Sequence, residues 1–291
     1  MISLVRIELF KIFRKPRTYI SFAAVIIIIW LIQLGFYAEG EKYLGFSLQG
    51  MSESFLIEGK ILNGFLVCFI ILQTLLVHIP LLVALVAGDM VSGEANQGTL
   101  RMLLTRPVSR TKLLISKFIA ATMYTIGLLI WLAIWSLFFS LFIFGKGDML
   151  IMKSDVVTQI LSSDALWRYF AAFCFATLAM ITVTSLAFLL SVFASNSIGP
   201  IIATMAVVVL FTIIQTLDLP LFNAVKPFLF TTHMLAWKGF FDVQMNEANE
   251  QIVGSIQDMS GILWSGAILA VHILFFLGVA IFIFRRKDIL T

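Results

Sequence analysis

The chain has 291 residues, 60% hydrophobic and 12% charged, with a net charge of +4 and a mean hydropathy of +1.03. No soluble core needs that much apolar surface, so lipid is the solvent for most of the chain. The basic residues sit beside apolar runs, which points to membrane orientation rather than to nucleic acid.

From the N-terminus, Ile2, Val5, Leu9, Phe10, Ile12 and Phe13 share one helical arc, with Glu8, Lys11, Arg14 and Lys15 on the opposite one. This pattern fits an amphipathic helix in the inner interface, or a basic flank that only sets topology. Pro16 marks the turn into the first apolar run, which has no small-residue cleavage site after it and reads as a retained span. Runs long enough for a hydrocarbon core of about 30 Å lie at 18–37, 62–88, 118–144, 169–194, 198–217 and 263–284. The stretch 219–241 is apolar too, but Pro220, Pro227, Lys226 and Lys238 argue against a seventh crossing. It is expected as a broken, re-entrant or interfacial helical pair on the outer side, with Trp237 near the headgroups. The polar loop 242–261 has room for a surface helix or a partner contact.

With six spans, 13 of the 20 Lys and Arg fall on the side of the N-terminal segment, the loop after span two and the C-terminus; 7 fall opposite. The positive-inside rule then places both termini in the cytoplasm. Cys68 and Cys174 lie in apolar runs without motif spacing, so two small buried side chains are expected rather than a disulfide or metal site. The span interiors carry no Asp, Glu, Lys or Arg, which disfavours a proton or ion relay. Their polar exceptions are read as Gln73, His78 and His272, a weak candidate substrate path, with His78 expected to bond locally beside the kink at Pro80. No phosphate-binding loop, zinc-peptidase helix or carboxylate-rich catalytic cluster is present, so nothing in the chain can bind and split ATP in the phosphate-loop manner.

The loop after span two reads Gly93-Glu94-Ala95-Asn96-Gln97-Gly98-Thr99-Leu100, then Arg101 to Thr105, then Arg106-Pro107-Val108-Ser109-Arg110, and ends at Lys117. A short helix over 94–104 fits its apolar spacing, and Ser109 is placed to cap the helix entering span three. The pattern Glu-x3-Gly-Thr-Leu-x2-Leu-Leu-x2-Pro-Val-Ser-Arg, followed by Leu-Leu-x2-Lys, resembles the ABC-2 family of ATP-binding-cassette transporter permeases.

That resemblance implies an all-α integral membrane protein forming one permease domain over 1–291. Its parts would be six transmembrane helices, an N-terminal amphipathic interfacial helix, a cytoplasmic coupling helix and external re-entrant helices, as in type V exporters. It also implies location in a bacterial inner membrane, no cofactor in this chain, and Mg-ATP hydrolysed by two copies of a cytoplasmic ATPase subunit. A second permease copy or a sister permease, membrane lipid and a periplasmic accessory protein complete the implied partners; nucleic acid is not among them. In the coupling loop, Glu94 would be the acidic contact, Gly98 and Thr99 the turn and cap, and Arg106, Pro107 and Arg110 the exit that meets partner or phospholipid. A stand-alone secondary transporter and a polytopic membrane enzyme are the alternatives. Neither finds support in mid-span charges or paired catalytic groups.

Overall fold

The computed structural model describes residues 1–48, 61–99, 108–152, 157–246 and 251–287. Helix α1 (Ile2–Phe13) stops at Arg14, and Pro16 opens the next helix, the position where a missing amide costs nothing. The Thr18 hydroxyl donates to the Ile12 carbonyl at 2.5 Å and satisfies one acceptor that the end of α1 leaves open. Among the described residues six helices are long and apolar enough to cross a membrane, which makes this a mostly helical multi-pass membrane protein. Spans one to six are Pro16–Leu48, Gly64–Ala87, Arg110–Phe144, Ser162–Phe193, Ile198–Thr216 and Met259–Arg286.

Each expected run is present, but helix bounds follow capping rather than hydropathy. Span three starts well before Phe118 because the Ser109 hydroxyl, as expected, accepts from the Lys112 amide at 3.3 Å. Span two starts after Asn63, whose side chain accepts from the Leu66 amide at 3.0 Å and donates to the Asp148 carbonyl at 2.7 Å.

Span four is the hub and packs on spans two, three, five and six. Ala172, Ala176, Ala179, Thr184, Ala187 and Ser191 on it are all buried. Small side chains let helix backbones approach closely where no hydrophobic drive between helices exists. The Thr125 and Thr184 hydroxyls bond each other at 2.8 Å across spans three and four.

Three expectations need correction, at the hairpin, Trp237 and Cys174. The fold is not purely helical: Met149–Met152 pairs antiparallel with Val157–Ile160 in a short hairpin between spans three and four. The stretch 219–241 is broken into short 3-10 turns and one helix, Phe230–Met234, as expected. Trp237, however, is buried against Phe69 and Phe241 instead of facing headgroups. Of the two possibilities for the polar loop, no helix forms among the described residues of 242–258, and Arg168 of span four holds both ends of the segment. Its guanidinium bonds Asp164 Oδ2 at 2.6 and 2.8 Å, the Phe240 carbonyl at 2.6 Å and the Ser255 carbonyl at 2.7 Å. Cys174 is exposed, whereas Cys68 is buried as expected.

Candidate functional site

The loop after span two leaves the membrane helix at Gly88 and forms a five-residue helix, Ser92–Asn96. It begins before Glu94 and ends at Gln97, while residues 100–104 of the helix expected over 94–104 lie outside the described residues. The short helix is followed by Gly98, whose φ of +71° is a left-handed turn that side-chain-bearing residues resist. Thr99 donates from its hydroxyl to the Glu94 carbonyl at 3.3 Å. Leu100, Leu103, Leu104, Arg106 and Pro107, all given roles in the loop by the sequence, lie outside the described residues.

Span four fixes the loop helix from behind. The Ser191 hydroxyl accepts from the Val91 and Ser92 amides at 3.1 and 2.9 Å, and the Ser92 hydroxyl donates to the Gly88 carbonyl at 2.7 Å. An added Cβ at Gly93 would lie 2.6 Å from Asp89 Cγ, so the absence of a side chain there lets the loop fold tightly over Asp89.

Glu94 is 8% exposed. Its Oε1 pairs with Lys117 Nζ at 2.6 Å and Lys11 Nζ at 2.8 Å. Glu8 of α1 meets the same two ammonium groups, Lys11 at 2.9 Å and Lys117 at 2.8 Å. Two carboxylates and two ammoniums thus form a neutral cluster joining α1, the loop and the start of span three. Burial pushes the Glu94 carboxyl up, but Lys117 and Lys11 outweigh it and hold the group below its ordinary range. Burial likewise lowers Lys11, and Glu94 and Glu8 overcome it to raise the group. A second knot lies alongside: Asp89 accepts Lys15 Nζ at 2.7 Å and also pairs with Arg17.

The cluster docks α1 onto the loop and span three. Its charged side turns inward, with Glu8 and Ile12 buried. Ile2, Ile7, Phe10 and Phe13 are exposed and form an apolar outer surface. Lys117, counted from the sequence as a loop residue, is 1% exposed on the stripe with Leu113, Leu114, Ala120 and Ala121. That helical spacing was the available signal for it. Glu8, Lys15, Arg17 and Asp89 gave no comparable sign, because their partners lie far along the chain.

Arg110 does not point at an open surface: Nη1 donates to the Lys287 carbonyl at 2.8 Å, at the end of span six. Gln73 and His78 are exposed on one face of span two. His78 Nδ1 lies 2.8 Å from the Thr74 carbonyl, a local bond one turn back, not to the carbonyl that Pro80 frees. His272 Nδ1 likewise meets its own helix, the Ile268 carbonyl at 2.9 Å, with its ring against Phe230 and Phe276. Gln33 and His233 are buried polar residues to which the sequence drew no attention. Gln33 of span one bonds span three. His233 ties the broken outer stretch to span six, with Nδ1 at 3.1 Å from Ser265 Oγ and Nε2 at 2.8 Å from the Pro227 carbonyl.

These features define a multi-pass helical membrane protein whose N-terminal helix is ion-paired to the loop between its second and third spans. The chain belongs to the family described as "Protein of unknown function (DUF2705)", whose model matches residues 26–290. It is also similar to the "Uncharacterized protein YhcI" of Bacillus subtilis (strain 168), 24% identical over 208 residues. That match covers 70% of this chain and 63% of the relative, so this chain accounts for less than two thirds of the relative's length.

Proposed function

We propose that this chain is the membrane-spanning permease subunit of an ATP-driven transporter of the ABC-2 type, working as an exporter with a separate cytoplasmic ATPase. The observation that carries the reading is the four-charge cluster. It ties Glu94 in the loop to Lys11 of α1 and Lys117 of span three, while Ser191 ties the same loop to span four. A push on a loop so connected reaches three elements at once. That is what a coupling element needs if closure of an ATPase pair is to shift the membrane helices between two states.

The exposed polar face of span two adds support. Gln73, Thr74 and His78 occupy the middle of a membrane helix and face outward, and hydrocarbon cannot satisfy a glutamine amide. A second permease copy or a water-lined path would. In this reading both termini and the loop are cytoplasmic, the chain has no catalysis of its own, and Mg-ATP is held by the partner.

The test is affinity purification of the tagged chain in mild detergent, with mass identification of its companions. A co-purifying ATPase with a phosphate-binding loop is the expected result. Its absence across several detergents would return the stand-alone transporter and the membrane enzyme to the front.

A further inference from the structure

Span three is not a continuous α-helix. Residues Ile134–Phe138 form a π segment between Arg110–Ala133 and Phe139–Phe144. A π turn holds one extra residue and interrupts the regular hydrogen-bond ladder, so a backbone carbonyl there needs another donor. Gln33 supplies it from span one. Its Nε2 donates to the Trp135 carbonyl at 3.1 Å and to Ser140 Oγ at 3.0 Å. One side chain thereby clasps the π segment and the α turn beyond it. Gln33 is 2% exposed in an otherwise apolar stretch, where its amide has no solvent alternative.

The clasp is incomplete, because Gln33 Oε1 and Trp135 Nε1 are buried without partners. A half-satisfied buried network favours a second arrangement with better bonding. The surrounding rings can accommodate one. Trp135 contacts Trp30, Trp131 and Phe139 at centroid distances of 5.6, 5.6 and 4.6 Å, all tilted or edge-on. The segment beyond the π turn is also mechanically connected. Gly145 at its end accepts from the Gly64 amide at 2.9 Å, and an added Cβ at Gly64 would lie 2.6 Å from the Leu141 backbone. Movement of Phe139–Phe144 therefore carries the start of span two.

We propose that Ile134–Phe138 is a hinge in span three and that Gln33 is its latch. While the amide is engaged the π form persists. On release the turn relaxes to α, and Phe139–Phe144 shifts by one residue against Ala133, about 1.5 Å of rise and about 100° of rotation. This hinge does not depend on the transporter reading, since it rests on the span-one to span-three contact alone.

The experiment places spin labels at Tyr37→Cys and Phe142→Cys, both on exposed positions, in a Cys68→Ala/Cys174→Ala background reconstituted in nanodiscs. Rotation of a helix about 10 Å across by about 100° moves a label by several ångströms. With Gln33 present, one dominant label separation is expected. Gln33→Leu should add a second population displaced by about 5 Å or more, and Ser140→Ala, which removes one of the two acceptors, should add a smaller one. If Gln33→Leu fails to insert, Ser140→Ala decides alone. Unchanged distance distributions in the variants that insert would overturn the hinge and leave the π turn a fixed feature of the fold.

Discussion

Lys117 and Glu8 stand 109 positions apart in sequence and 2.8 Å apart in space, both buried. This pair makes α1 part of the folded body rather than a loose membrane anchor. A buried ammonium is tolerated only when its partners are close and well placed, and Lys117 has two, Glu8 and Glu94. Each protein segment that supplies a carboxylate is therefore held in position by the other two.

Removing the shared cation should cost more than removing either anion. Lys117→Met leaves two buried carboxylates short of a partner and should destabilise the protein by about 3–5 kcal/mol. Thermal unfolding in detergent measures it. The Glu8→Gln/Lys117→Met double variant should lose less than the sum of its parts, because the two changes act on one network. Strict additivity would mean that the pair contributes nothing as a pair.

The pH response follows from the directions of the shifts. Glu94 titrates below its ordinary value of 4.5 when folded. Its contribution is therefore complete above that pH and is lost as pH falls through the folded value. Lys11 titrates above 10.5, so its contribution is complete below that pH and is lost as pH rises through the folded value. Protease accessibility of α1 should rise as pH falls through the folded Glu94 value and as pH climbs through the folded Lys11 value. Opening of α1 near neutral pH would contradict the pairing.

Gly93 and Gly98 should respond differently to alanine. At Gly98 there is open space, and the cost is the left-handed backbone, about 1–2 kcal/mol. At Gly93 the new methyl collides with Asp89, which must then leave Lys15 and Arg17. Gly93→Ala should thus raise the accessibility of α1 to protease, and Gly98→Ala should not. Equal behaviour of the two variants would remove Asp89 from the account.

For the transport reading, Glu94→Ala should leave the protein inserted while separating transport from ATP hydrolysis. Lys112 is exposed, whereas Arg110 is engaged with the end of span six. Lys112→Glu is accordingly the cleaner probe of ATPase retention, and Arg110→Glu should also free the C-terminal turn. Undiminished ATPase retention in the Arg110→Glu/Lys112→Glu protein would reduce the loop to an anchor.

On the opposite side, Arg168→Leu should release 242–258, because two backbone carbonyls and Asp164 lose their common donor. Limited proteolysis in that segment should accelerate by about tenfold, equivalent to about 1.4 kcal/mol of local opening. Arg168→Lys should recover only part of it, since a lysine lacks the planar fork. Unaltered cleavage would show that the segment is held elsewhere.

By itself the sequence determined the six spans, the broken stretch 219–241 and the Ser109 cap. These rest on hydrophobic length, proline chemistry and capping, which act over a few residues. Tertiary structure alone decided which way α1 faces, that Trp237 is buried, and that Lys117 and Arg168 are buried hubs rather than surface charges. It also decided the hairpin at Met149–Met152 and the clasp from Gln33. In each case the deciding partner lies far along the chain: Glu8 for Lys117, Phe240 and Ser255 for Arg168, Trp135 for Gln33. A buried charge or amide becomes tolerable only through such a partner, and local periodicity carries no information about which distant residue supplies it.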